Sequence, residues 1–362
     1  MKLFACPACR NRLYFENDRC LACGTTVAFA PEASRFAAAG VDAPACSNAT
    51  ECGCNWVASP QHDGYCRACA LNRTIPDMAV DGNRHRWTRI ERAKRRLVHA
   101  LLGFGLDVHP KAGPNDAEGL AFEFLADKPG ERVLTGHDGG LITLNVIEAD
   151  PAERERMRLA MGERYRTLLG HFRHEVGHYY WERLIRDDPA ELEAFRGLFG
   201  DERADYAEAL KRHYADGPSA GWQDRHVTPY AASHPWEDWA ETWAHHLHMT
   251  DALEMADAFA IPLDRIDAAA NADGRMSELG VDTVLTRWLA LTEVVNGINR
   301  CMGMPDLYPF VIAPAVARKL DFVRSLLDRR GLQVAEDAGQ KIASNLTLPA
   351  FSCLEPRKSA TS

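Results

Sequence analysis

The sequence predicts an α+β fold in two parts: a cysteine-rich N-terminal module and a larger, mainly helical domain with a small sheet. Two observations support this. Nine of the eleven cysteines lie before residue 70, most of them in C-x-x-C pairs. Later stretches carry apolar residues at helical spacing, and two short stretches rich in apolar or β-branched residues read as strands. At 362 residues the chain is long enough for two domains and a sizeable core.

The composition is that of a water-soluble globular protein, with 46% hydrophobic and 26% charged residues. No apolar run approaches the roughly 18 residues that a membrane helix needs. The net charge of −9 argues mildly against a nucleic-acid-binding protein as a whole. Leu3 to Cys6 resembles a lipoprotein cleavage box, but the apolar stretch before Cys6 is too short for a signal peptide. We therefore expect a cytoplasmic location without membrane contact, where cysteine pairs favour metal over disulfides.

The first two cysteine pairs predict a ribbon that binds zinc. Cys6, Cys9, Cys20 and Cys23 form C-x2-C-x10-C-x2-C. Two such knuckles joined by a short hairpin supply four thiolates in a tetrahedron, the arrangement of a closed structural zinc site. A redox dithiol would need only one pair.

A second ribbon is predicted from five further cysteines, one more than a tetrahedral site uses. Cys66 and Cys69 form a clear knuckle, and Cys46 is the expected third ligand. For the fourth we prefer Cys54 to Cys52, because Gly53 and Asn55-Trp56 read as a turn into a strand; His62 is an alternative. The role of Cys52 is left open. In both ribbons metal binding would supply folding free energy that a small core cannot.

Between the ribbons, residues 29–45 read as a connection. Trp87 to Leu102 then predicts an amphipathic helix with a basic face. A solvated helix joining two domains is preferred to a nucleic-acid surface. The expected boundaries are 1–75 for the tandem ribbons, 76–112 for the basic helix and linker, 113–345 for the larger domain and 346–362 for a tail.

In the larger domain, strands are predicted at Leu120–Leu125 and Gly139–Val146. The second could pair with an extended substrate backbone or be an ordinary sheet strand. Further helices are expected at Pro151–Gly162, Asp251–Ala260, Val281–Met302 and Pro314–Arg330. Cys301 and Cys353 read as ordinary thiols.

The central motif is His174-Glu175-x-x-His178. Two imidazoles four residues apart on a helix point the same way and can hold one metal ion, leaving room for another ligand and a water. Glu175 lies about 100° round the helix, where it can act as general base on that water. Apolar residues at helical spacing before and within the motif favour the helix.

The third protein ligand is expected to be a carboxylate. Trp181 and Leu184 occupy the positions where H-E-x-x-H-x-x-G-x-x-H would have Gly and His, which excludes that class. Glu237 is preferred to Glu202, because Ser233 or His234-Pro235 can start a helix whose first turn carries it. Glu241, one turn on, could accept the outer N–H of His174. Tyr230, in the preceding loop, could approach a developing oxyanion. His245, His246 and His248 are expected to be surface or core residues rather than ligands.

The sequence resembles a bacterial family of zinc-binding metallopeptidases that carry an N-terminal zinc-ribbon domain. The matching stretches are the early knuckles, Cys66–Pro76, His174–His178 and Tyr230–Trp243. The resemblance implies a zincin-like metallopeptidase domain of the type with a glutamate as third ligand. It implies His174, His178 and Glu237 on a catalytic zinc, Glu175 as base and Tyr230 as a transition-state stabiliser.

The expected complement is one catalytic and two structural zinc ions, with a peptide or protein as substrate. The ribbons could bind a protein or a nucleic acid. The alternative is a non-catalytic zinc-ribbon adaptor with a metal-stabilised scaffold domain.

Overall fold

The structure, a computed structural model, describes residues 2–128, 130–266 and 283–345. In the N-terminal module, β1 (Phe4–Ala5) pairs with β2 (Arg12–Leu13), and β3 (Val27–Ala30) forms an antiparallel hairpin with β4 (Arg35–Ala38). The expectation of a plain connection over residues 29–45 is therefore wrong. Phe29 and Phe36 face each other across the hairpin, both buried, and their contact provides the apolar stabilisation of the pair. A single helical turn, α1 (Ala49–Cys52), follows.

The larger domain contains a four-stranded sheet in the order β5-β6-β8-β7, formed by β5 (Asn72–Thr74), β6 (Ala121–Leu125), β7 (Gly136–Asp138) and β8 (Leu141–Asn145). The two predicted strands correspond to β6 and β8. β8 is parallel to β6 on one side and antiparallel to β7 on the other. It therefore has no free edge for a substrate backbone and is an ordinary sheet strand, the second of the two alternatives. Gly139 and Gly140 take positive φ in the tight turn that folds β7 back onto β8.

Helices make up most of the larger domain. They are α2 (Asn83–Gly103), α3 (Pro151–Ala160), α4 (Leu168–Leu184), α5 (Pro189–Phe199), α6 (Tyr206–Asp216), α7 (Pro235–Ala258), α8 (Thr283–Cys301) and α9 (Pro314–Asn345). The separate helix expected at 251–260 is instead the last part of α7. The predicted start of α8 at Val281 and the predicted tail with Cys353 lie outside the described residues; Cys301 is exposed.

The predicted solvated basic face of α2 is only partly solvated: Arg92 is exposed, but two of its cations are not. Lys94 and Arg95 are buried. Lys94 donates a 2.8 Å hydrogen bond to the buried carboxylate of Glu91, and Arg95 donates to the carbonyl of Gly53 in the second cysteine region. Buried charges need such partners. Arg95 therefore links α2 to the cysteine-rich module through a buried charge.

Hydrophobic packing also runs continuously from the ribbons into the helical domain. Phe15 and Phe29 contact the ring of His99 on α2, with centroids 4.8 and 5.2 Å away. The same cluster of buried residues extends through the sheet, α4 and α7. A second cluster joins the end of α7 to α8 and α9. These features confirm the predicted fold class, and no helix in the described part of the chain is both long and apolar enough to cross a bilayer.

Candidate metal sites

Close packing of α4 against α7 brings the motif helix to its carboxylate partners. Gly177, inside the motif, is the point of closest approach. A Cβ atom there would lie 3.2 Å from the Cα of Ala240 and from the ring of Trp243. Trp239 donates a 2.8 Å hydrogen bond to the carbonyl of Gly177. A residue without a side chain at this position therefore lets the two helices approach at the level of the site.

Side-chain caps fix the residues at which α4 and α7 begin. The Thr167 side chain accepts a hydrogen bond from the Gly170 amide at the start of α4. The His234 side chain does the same for the Trp236 amide at the start of α7, where Pro235 is the first helical residue. Glu237 consequently lies in the first turn of α7.

The side chains of His174, His178 and Glu237 converge. Their candidate ligand atoms all lie within 4.8 Å of one another. Glu237 Oε2 is 3.0 Å from His174 Nε2 and 3.7 Å from His178 Nε2. Zinc bonds of about 2.0–2.1 Å to nitrogen and oxygen give tetrahedral edges of about 3.3 Å. The observed distances lie on either side of that value, so the donor set and its spacing fit zinc.

Burial and charge at this point also favour a cation. Glu237 is 1% exposed. Among the described residues, its Oε2 atom has no hydrogen-bond partner. Burial would raise the pKa of Glu237, but its electrostatic interaction with His178 and its contact with His174 hold that pKa well below its usual range. The carboxylate is therefore ionised and faces two imidazole nitrogens, as a metal ligand must be.

Three further residues hold these side chains in place. His174 Nδ1 donates to Glu241 Oε1 at 2.8 Å, and Thr228 donates to the other oxygen of Glu241 at 2.8 Å. This leaves Nε2 of His174 directed at Glu237. The hydroxyl of Tyr206 on α6 donates to Glu237 Oε1 at 2.5 Å. Sequence reasoning did not identify Tyr206 or Thr228, because neither belongs to a motif or shares a helix with a ligand.

Glu175 follows His174 on α4, and Tyr230 lies beside the ring of His174. Glu175 is 8% exposed, and Tyr230 sits in a 3₁₀ turn directly before α7, its ring centroid 6.0 Å from that of His174. Burial, followed by the charge of Glu237, raises the pKa of Tyr230 well above its usual value; the charge of Glu175 adds to this effect. The Tyr230 hydroxyl thus keeps its proton at neutral pH and can donate a hydrogen bond.

The alternatives raised by the sequence lie elsewhere. Glu202 forms an ion pair with Arg196. Among the described residues, it belongs to none of the three clusters of potential metal ligands. His245 and His246 are buried in the core. His245 Nδ1 lies 2.6 Å from the hydroxyl of Tyr308. His248 lies beside the guanidinium of Arg173, which also pairs with Asp251.

In the first ribbon, Cys6, Cys9, Cys20 and Cys23 have their sulfur atoms within 4.8 Å of one another. Cys6 and Cys23 are 3.7 Å apart, and Cys9 and Cys20 are 3.6 Å apart. A disulfide needs about 2.05 Å. A tetrahedron with Zn–S bonds of about 2.3 Å has edges of about 3.8 Å. The spacing therefore fits a Cys₄ zinc site and excludes these disulfides.

The second group contains Cys46, Cys54, Cys66 and Cys69. Cys54 lies 3.6 Å from Cys66 and 3.7 Å from Cys69. Neither Cys52 nor His62 belongs to the group, although Cys52 is buried nearby and contacts the carbonyl of Asn48. Four thiolates around a divalent ion leave a net negative charge, and the buried Arg95 offsets it.

Comparisons with known proteins agree with this arrangement. The profile of a family described as "Putative zinc-binding metallo-peptidase" matches residues 83–326, and that of a zinc-ribbon domain matches residues 3–80. Uncharacterized proteins of Mycobacterium tuberculosis and Mycobacterium bovis are 43% identical over 334 residues, which covers 91% of this chain and 96% of each relative. No solved structure matches.

Proposed function

We propose that this chain, which belongs to the zinc-binding metallo-peptidase family matched over residues 83–326, hydrolyses peptide bonds at one zinc ion held by His174, His178 and Glu237. The observation that carries the proposal is the convergence of two imidazole nitrogens and one buried, ionised carboxylate within 4.8 Å. Three protein ligands are the number that catalytic zinc sites use, leaving the fourth position for water or substrate.

Bound zinc supplies Lewis acidity, which makes a water nucleophilic near pH 7 and polarises a carbonyl. Glu175 takes a proton from the attacking water while the water oxygen adds to the peptide carbonyl carbon. Glu175 then passes this proton to the amine that leaves as the C–N bond breaks. The protonated hydroxyl of Tyr230 donates to the oxyanion. Glu241 and Tyr206 orient His174 and Glu237 throughout.

The two cysteine groups would each hold a structural zinc, giving three zinc ions per chain with the catalytic one. Closed Cys₄ sites have no open position, so their contribution is to folding. Thiolate ligands need reducing conditions, and we place the protein in the cytoplasm. The substrate is a peptide or protein, and the ribbons are a candidate surface for recruiting it.

Replacing Glu175 by Gln tests the reaction. The side chain keeps its size but cannot accept a proton as a base. We expect peptide hydrolysis to fall by at least about 100-fold, the range for loss of general base catalysis, with three zinc ions still bound. Elemental analysis and a proteome-derived peptide library analysed by mass spectrometry provide the two readouts. Glu193→Gln, at an exposed position on α5, is the matched control and should cleave like the parent.

Equal cleavage rates for the parent and Glu175→Gln would show that Glu175 is not the general base. A parent protein that holds three zinc ions and cleaves no peptide would favour the adaptor alternative. In that case the third ion should resist chelators as strongly as the two in the ribbons. An open catalytic site should instead lose its ion first, without unfolding of the chain.

A further inference from the structure

A cavity of about 190 Å³ lies between α7, α8 and the segment that precedes α9. Four aromatic side chains line it: Tyr165, Trp288, Tyr308 and Phe310. His245 on α7 also lines the wall, with Nδ1 2.6 Å from the Tyr308 hydroxyl. The rings of Trp288 and Tyr308 meet edge to face, with centroids 4.8 Å apart. The cavity is therefore an aromatic chamber whose polar atoms at His245 and Tyr308 are paired with each other.

This chamber lies one helical turn along α7 from Glu241, the residue that holds His174. His245 is four residues after Glu241 on the same face of α7, about 6 Å along the helix axis. Burial raises the pKa of Tyr308, which lines the chamber, and the charge of Glu241 adds to this effect.

On the other side, Tyr165 lies just before α4, the motif helix. Its neighbour Arg164 donates a 2.9 Å hydrogen bond to the carbonyl of Pro309. That bond holds the segment with Tyr308 and Phe310 against the entry to α4. The helix that carries Glu237 and the loop that leads into the motif helix therefore both form walls of the chamber.

The volume and chemistry of the chamber define the class of occupant. An apolar protein cavity of about 150 Å³ holds one benzene molecule, whereas sites for drug-sized ligands and cofactors measure about 300–1,000 Å³. At about 190 Å³ the chamber has room for one ring and little else. Aromatic walls favour an aromatic guest, which can stack or meet them edge to face.

We propose that this chamber binds an aromatic side chain of the substrate close to the bond that is cleaved, and so sets the sequence specificity of the enzyme. The inference rests on the proposed peptidase function for its substrate. The binding of a free aromatic ring, however, can be measured without any turnover.

The test uses the full-length protein and fills the chamber from its α7 wall. Ala252 lines the cavity, and Ala252→Phe places a ring inside it. Ala258→Phe adds the same side chain at an exposed position near the end of α7 and serves as the control. Binding of p-cresol, the side-chain analogue of tyrosine, is measured by calorimetry and by ligand-observed NMR. Cleavage is compared on peptide pairs that differ only in Phe or Ala beside the scissile bond.

We expect p-cresol to bind the parent and Ala258→Phe alike, and Ala252→Phe at least about 10-fold more weakly. The parent should cleave the Phe peptide about 10- to 200-fold faster than the Ala peptide, the range that one apolar pocket provides. Ala252→Phe should lose most of that preference while still cleaving the Ala peptide. Cleavage of the Ala peptide by Ala252→Phe also shows that this variant is folded.

Equal p-cresol binding by the parent and Ala252→Phe would overturn the proposal. So would an unchanged preference for the Phe peptide in Ala252→Phe. If p-cresol binds as expected but no peptide is cleaved by any protein, the proposed peptidase function fails and the chamber stands as a binding site for an aromatic ring. If peptides are cleaved with no preference for Phe, the function stands and the assignment of the chamber fails.

Discussion

Replacing Tyr206 by Phe removes one hydrogen bond from the proposed zinc ligand Glu237 and leaves the ring in place. The Tyr206 hydroxyl lies 2.5 Å from Glu237 Oε1, and that carboxylate is almost completely buried. Hydrogen bonds to charged groups contribute about 1.5–3 kcal/mol, and about 1.4 kcal/mol is a factor of ten. We therefore expect zinc to bind the variant about 10- to 100-fold more weakly, in agreement with the usual effect of removing a hydrogen bond to a metal ligand.

The assay is competition against a chelator of known affinity, followed by zinc content per chain, in which the third zinc should be released at lower chelator concentration. Tyr214→Phe is the control, because Tyr214 lies on the same helix and is 63% exposed. A zinc affinity of Tyr206→Phe within about twofold of the parent would refute the reasoning. It would mean either that Glu237 does not hold the metal or that the Tyr206 contact contributes nothing to its orientation.

Two further predictions concern the second ribbon and the stability of the larger domain. Cys54→Ser should bind one zinc fewer than the parent, while Cys52→Ser should keep the full complement; the reverse result in elemental analysis would exchange their roles. Contacts with His171, Thr135 and Arg166 outweigh burial and lower the pKa of Glu148 to about 2. A group with a depressed pKa stabilises the fold above its unfolded pKa of about 4.5, by up to about 3 kcal/mol for this shift. Glu148→Gln should therefore lower the free energy of unfolding at pH 7. The difference in unfolding free energy between variant and parent should narrow as the pH falls from about 5 towards 3. A difference that does not change with pH would contradict this prediction.

Local spacing was enough to predict several features of this protein. The four-residue spacing of His174 and His178 places both imidazoles on one helix face wherever that helix lies. Paired C-x-x-C knuckles likewise define thiolate pairs by their own geometry, and the Ser233-His-Pro235 stretch indicates a helix start just before Glu237. These features depend on contacts within a few residues, so they can be read from the chain without its fold.

The remaining features depend on contacts between distant segments, and only the tertiary structure decides them. Tyr206 reaches Glu237 from a separate helix. Lys94 and Arg95 look solvated in a helical pattern, yet both are buried, because the sheet covers Lys94 and the second ribbon covers Arg95. The aromatic chamber likewise combines side chains from α7, α8 and two loops. Periodicity shows which residues share a face, but not what that face meets, because burial is a property of the packed chain as a whole.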